Sequence, residues 1–104
     1  MMLKTKQQII DEVVQVCKEC KAWYKEIADA GKLYKKEYIN ARVNINDTDY
    51  IFIDCDCDDE NLNYFWFSLE SELYPYTNID EQDTTDTSEK SIRYNVGLLL
   101  ENNY

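Results

Sequence analysis

The chain has 104 residues, is 44% hydrophobic and 31% charged, and carries a formal net charge of −10 with no histidine and only two glycines. Its length and apolar content predict one domain with a core, while the charge disfavours direct binding to nucleic acids because phosphates would be repelled. The composition also excludes histidine-based nucleophile pairs and glycine-rich phosphate loops, so we expect a protein that is not an enzyme and needs no cofactor.

The first predicted element is a long helix over residues 5–31. Apolar residues recur there at intervals of three and four, which is typical of a helix with one buried face. Thr5 is the expected N-cap and Gly31 the expected end of the helix. The apolar stripe consists of Ile10, Val13, Cys17, Cys20, Tyr24 and Ile27.

Three strands are predicted next. Apolar and polar residues alternate over 38–45 and again over 50–57, with a polar turn between them, as in half-buried strands. Residues 62–69 form the third strand, and this one is apolar on both faces, with Tyr64 and Trp66 opposite Phe65 and Phe67. Such a strand either lies at the centre of the sheet or faces a partner.

The last third of the chain is harder to interpret. Residues 70–91 are polar and acidic, which predicts a loop. Residues 92–100 fit both a helix and a strand, and the β-branched residues with Gly97 favour a strand. We therefore predict an α+β domain spanning residues 1–104, with a long N-terminal helix packed on a three- to four-stranded antiparallel sheet.

Four cysteines form two closely spaced pairs, Cys17 with Cys20 and Cys55 with Cys57. Each pair shares one face of its element, so both are expected at the helix–sheet interface. Four thiolates there could hold zinc or act as a redox pair, but their apolar surroundings favour buried core thiols and no metal. Without an apolar leader or membrane-spanning run, we expect a cytoplasmic protein with reduced thiols.

Acidic residues are concentrated in the second part of the chain. Residues 1–42 hold nine Lys/Arg and six Asp/Glu, a net charge of +3, whereas residues 43–104 hold two and fifteen, a net charge of −13. The run that begins at Asp54 resembles a calcium loop, but Asp59 stands where that loop needs glycine and Phe65 where it needs glutamate. The run is then either an ordinary solvated edge or a surface that binds a basic protein.

We interpret it as a binding surface for a basic, nucleic-acid-processing protein, with no direct contact to nucleic acid or membrane. Aromatic residues beside the acidic ones are expected to supply affinity. The expected partner-binding residues are Phe52, Asp54, Asp56, Asp58, Asp59, Glu60, Glu70, Glu72, Tyr74, Tyr76, Asp80, Glu81, Asp83 and Asp86.

In size, acidity and predicted fold the chain resembles the small anti-CRISPR proteins and DNA mimics of phages and mobile elements. The resemblance is carried by the acidic residues at 54–60 and 80–86. It implies an inhibitor in the host cytoplasm that binds the nucleic-acid-binding or PAM-reading surface of a defence nuclease such as a CRISPR effector. Two alternatives remain, an immunity protein that neutralises a bacterial toxin and a zinc-stabilised structural adaptor.

Overall fold

The computed structural model describes residues 4–29, 37–57, 62–75 and 77–104. These residues form an α+β fold in which an N-terminal helix packs on an antiparallel sheet, which confirms the predicted class. The elements in chain order are α1 (Lys6–Asp29), β1 (Glu37–Asn44), β2 (Asp49–Cys57), β3 (Leu62–Ser71), β4 (Asn78–Thr84) and α2 (Glu89–Asn103).

Helix α1 begins at the predicted N-cap. The Gln8 amide donates to Thr5 Oγ1 at 3.1 Å, and the Thr5 amide donates to Gln8 Oε1 at 2.8 Å. This reciprocal pair is a capping box, which satisfies two backbone donors at the helix start. The helix contributes its apolar stripe to the core, while the predicted end at Gly31 lies outside the described residues. Among its described side chains, the buried apolar ones are Ile9, Val13, Val14, Cys17 and Cys20.

The sheet is a meander in the order β1-β2-β3-β4, and every neighbouring pair is antiparallel. The predicted alternation in β2 is confirmed, with Ile51, Ile53 and Cys55 fully buried and Phe52 half-buried on the other side. The turn before β2 is held by Asn46 Oδ1, which accepts hydrogen bonds from the backbone amides of Thr48 and Asp49.

The predicted strand over residues 92–100 is wrong, because this segment lies in helix α2. Ser88 is the N-cap, and its side chain accepts a hydrogen bond from the Ser91 amide. The helical pattern places Ile92, Val96, Leu99 and Leu100 in the core. Tyr94, which a strand would bury with them, is instead 66% exposed.

The predicted loop over residues 70–91 is also wrong in part, because it contains β4. This strand has a polar sequence and lies at the edge of the sheet, where one backbone edge pairs with β3. Its partners in β3 run from Phe65 to Glu70, with an irregularity in register between Leu69 and Glu70. This segment therefore forms a strand because it pairs with the backbone of β3, and not because its own sequence has an alternating apolar pattern.

Both helices pack on the same face of the sheet. One core combines their buried residues with the inward side chains of β1, β2 and β3. Among the described residues, two ion pairs join the helices: Arg93 Nη1 lies 2.8 Å from Asp11 Oδ1, and Lys18 Nζ lies 2.9 Å from Glu89 Oε1. Of the helices in the described segments, neither combines the length and the apolar character needed to cross a membrane.

Candidate protein-binding face of the sheet

The side of the sheet opposite the helices presents a second set of side chains, which we call the open face. Its members follow from strand alternation and from the cross-strand register, which places directly paired residues on the same side. The described side chains of the open face are Arg42, Asn44, Tyr50, Phe52, Asp54, Tyr64, Trp66, Ser68, Glu70, Asn78, Glu81 and Asp83.

The open face is acidic. Among its described side chains, the carboxylates are those of Asp54, Glu70, Glu81 and Asp83, and the guanidinium is that of Arg42. Their separation across three strands spreads the negative charge over the surface rather than concentrating it at one point. A surface of this kind attracts cationic groups and repels phosphates.

Arg42 shows how this face binds a cation. Its guanidinium carbon lies 4.0 Å from the centroid of the Tyr50 ring, within the range of a cation–π contact. Its Nη2 forms an ion pair with Glu72, in the turn that follows β3. The Tyr50 hydroxyl donates to Glu70 Oε1 at 3.3 Å, and the pKa of Tyr50 is raised by burial and by the nearby Glu70 carboxylate. One aromatic ring and one carboxylate, that of Glu72, thus hold an arginine of the chain itself.

A groove of about 870 Å³ lies along β3 and the edge strand β4, and it extends around that edge to Asn95 of α2. Tyr64 and Trp66 form its aromatic wall, and both side chains are half-buried. Glu81 and Asp83 line the same groove from β4, and both are exposed. The groove therefore combines apolar ring surface with negative charge that solvent can reach.

Part of the predicted partner-binding set is brought together here. Phe52, Asp54, Glu70, Glu81 and Asp83 all belong to the open face. Asp56 pairs with Tyr64 in the register of the sheet, and its side chain is outside the described part. Glu72 and the 60%-exposed Tyr74 lie in the turn after β3.

Two predicted residues lie elsewhere. Asp80 is on the helix side of β4, where its Oδ2 accepts a hydrogen bond from Asn103 Nδ2 at 2.9 Å. Asp86 accepts a hydrogen bond from the Ser88 amide at 3.0 Å, and this bond lowers the pKa of its carboxyl. Both carboxylates therefore have local structural roles near α2. Asp58, Asp59, Glu60 and Tyr76 lie outside the described residues.

Sequence reasoning missed four side chains of this face as binding candidates: Arg42, Tyr50, Tyr64 and Trp66. The signal for two of them was present, because β3 is apolar on both sides and only one side of a strand faces the core of a two-layer fold. The association of Arg42 with Tyr50 and Glu72 depends on tertiary structure, since Glu72 is 30 residues away in the chain.

The prediction of buried thiols is confirmed for Cys17, Cys20 and Cys55, which are thiols rather than disulfides and are at most 3% exposed. Burial raises the pKa of Cys17 to about 12, whereas a hydrogen bond with Cys55 lowers the pKa of Cys20. The side chain of Cys57 is outside the described part. Among the side chains that the structure describes, no group of three or more His, Cys, Asp or Glu could hold a metal ion.

Comparison with family models, with curated proteins and with solved structures found no match to this chain.

Proposed function

We propose that this protein is a non-enzymatic inhibitor that binds a basic, nucleic-acid-binding surface of a defence nuclease, such as a CRISPR effector, through its open face. The observation that supports this proposal is the composition of that face. On the side of the sheet opposite the helices, the described residues place four carboxylates around half-buried aromatic rings. Charge there speeds association with a basic partner, and aromatic rings supply affinity once the surfaces meet.

RNA is an alternative ligand to be compared with a basic protein. A four-stranded antiparallel sheet that presents aromatic side chains opposite its helices is also the geometry with which some domains stack RNA bases. Those surfaces place positive charge beside the rings, because phosphates must be neutralised. The open face has the opposite charge, with Arg42 already paired to Glu72, so electrostatics favours a basic protein over a nucleic acid.

The test compares two variants that remove the same amount of charge. Asp54→Asn with Glu70→Gln neutralises two carboxylates of the open face. Asp47→Asn with Glu101→Gln neutralises two exposed carboxylates in the β1–β2 turn and on α2. Each protein is immobilised, exposed to host lysate at low and at high salt, and the bound proteins are identified. We expect a basic nucleic-acid-processing enzyme that high salt releases.

The captured enzyme is then purified for kinetics. Loss of the two open-face charges should slow association by about threefold to tenfold at low salt, while the control pair changes it little. Inhibition should be complete near one equivalent of inhibitor per enzyme site. Inactivation of excess enzyme by trace protein, or equal effects of the two charge-matched variants, would contradict the proposal. Recovery of a toxin instead would identify an immunity protein.

A further inference from the structure

We propose that the groove along β3 and β4 is a recognition site for one arginine side chain of the partner, with Trp66 as the stacking ring and Asp83 as the main carboxylate. This inference rests on the proposed function, because it specifies the chemistry of the basic surface that the open face binds. It goes further in naming one residue type of the partner and the residues that contact it.

The register of the sheet places the essential groups together. Trp66 in β3 is directly opposite Asp83 in β4, and directly opposed residues have Cβ atoms about 4.5–5.5 Å apart. Glu81, two residues earlier on the same strand, points to the same side, and Tyr64 extends the aromatic wall. Asp54 is opposite Trp66 on β2 and adds negative potential from the other side of the ring. The indole ring thus has a carboxylate-bearing strand on each side.

The Arg42 contact supplies an independent example within the same surface. There, a guanidinium lies 4.0 Å from an aromatic centroid and pairs with a carboxylate of a neighbouring segment. Trp66 with Asp83 repeats this combination of ring and carboxylate at the other edge of the sheet. Because Trp gives the strongest cation–π contact of the aromatic residues, the second position suits a guanidinium at least as well as the first.

Arginine fits this groove better than lysine does. Its guanidinium is planar, stacks on a ring while donating in its own plane, and is more weakly hydrated than an ammonium group. It carries five N–H donors, which can serve Asp83 and Glu81 at once.

The experiment uses a direct spectroscopic readout. The chain has two tryptophans, Trp23 and Trp66, so in a Trp23→Phe protein Trp66 is the only indole reporter. This protein is titrated at low salt with a capped glycine–arginine repeat peptide, with its lysine counterpart and with its citrulline counterpart. We expect saturable fluorescence changes with the arginine peptide, about threefold to tenfold weaker binding of the lysine peptide, and no binding of the neutral citrulline peptide.

Two variants connect binding to the groove. Asp83→Asn should weaken binding of the arginine peptide several-fold, whereas Asp47→Asn, which removes an equal charge from a distant turn, should change it much less. Asp83 is exposed, so its replacement should leave the fold intact. Trp66→Leu, followed by calorimetry, should lower affinity while retaining an apolar side chain. Equal affinity for the arginine and lysine peptides would overturn the inference, and so would equal effects of the two aspartate variants. Displacement of the arginine peptide by a labelled oligouridine would also overturn it, because the groove would then bind a nucleic acid.

Failure of this inference can be told apart from failure of the proposed function. If a basic enzyme is captured and depends on Asp54 and Glu70, but is indifferent to Trp66→Leu and Asp83→Asn, only the arginine site is refuted. If the arginine peptide binds as expected but no basic enzyme is inhibited, the arginine site is supported and the inhibitor function is refuted.

Discussion

Gly97 offers a direct test of the C-terminal part of the fold. It lies inside helix α2, and a Cβ atom built at this position has no atom of the described residues within 4 Å beyond the local helix backbone. Glycine inside a helix is about 0.8–1.0 kcal/mol less favourable than alanine, largely because it loses more conformational freedom on folding. Since the added methyl group meets open space, Gly97→Ala should raise the free energy of unfolding by about 1 kcal/mol. At this chain length the midpoint of thermal unfolding should rise by about 4–8 °C.

A second substitution makes the test specific for a helix. Valine is about 0.6 kcal/mol less favourable than alanine in a helix, so Gly97→Val should gain only about 0.4 kcal/mol. In a strand the order would reverse, because β-branched residues are favoured there. Urea unfolding followed by circular dichroism gives the order of the three proteins. Alanine above valine above glycine supports the helix, whereas valine at or above alanine, or destabilisation by alanine, would refute the reasoning.

Two other predictions concern the core thiols and the turn before β2. Cys17, Cys20 and Cys55 should react with a thiol reagent only after unfolding, because each is at most 3% exposed; in a Cys57→Ser protein, rapid native-state labelling of any of them would contradict the structure. Burial of the Asp49 carboxyl opposes its ionisation, but hydrogen bonds led by the one from Asn46 outweigh burial and lower the Asp49 pKa in the folded protein. The ionised carboxylate therefore stabilises the fold above the unfolded-state pKa of about 3.9. This stabilisation is lost as the pH falls through the lower folded-state pKa. Asp49→Asn should accordingly cost about 1 kcal/mol at neutral pH, with the difference from the parent shrinking on acidification in urea titrations; a difference that grows in acid would be inconsistent with this explanation.

The elements that were correctly predicted are those in which the spacing of apolar residues matches the side of the element that is buried in the fold. Helix α1 has a stripe at helical spacing and a capping residue, Thr5, at its start. Strands β1 and β2 alternate because one side of each faces the core and the other does not. In these segments local preference and tertiary packing agree, so periodicity alone is sufficient.

The elements that were missed depend on neighbours. Strand β4 has the sequence NIDEQDT, which has low strand propensity, and it forms because β3 offers a backbone edge. In α2 the apolar residues fit two periods at once, and the decisive features are the Ser88 cap and the exposure of Tyr94. The capping signal was readable in the sequence, whereas the exposure was not.

The candidate site was predictable only in part, for a similar reason. Alternation correctly assigned Asp54 and Phe52 to the same side of β2. Which carboxylates of the later acidic segment join them depends on the register of β4, which places Glu81 and Asp83 on the open face and Asp80 against Asn103. Register across an edge strand is set by its pairing partner, and a one-residue shift would reverse every assignment.

The meander topology has a consequence for the order in which the chain folds. Each strand pairs with its neighbour in sequence, so the hairpins close short loops at small entropic cost. The contact between Arg93 and Asp11 joins residues 82 positions apart. It lies between α1, which precedes all four strands in the chain, and α2, which follows them. Contacts of such long range are penalised until the intervening chain is ordered. We therefore expect the hairpins to form first. The two helices then pack together on one face of the sheet in the last step, which buries the core.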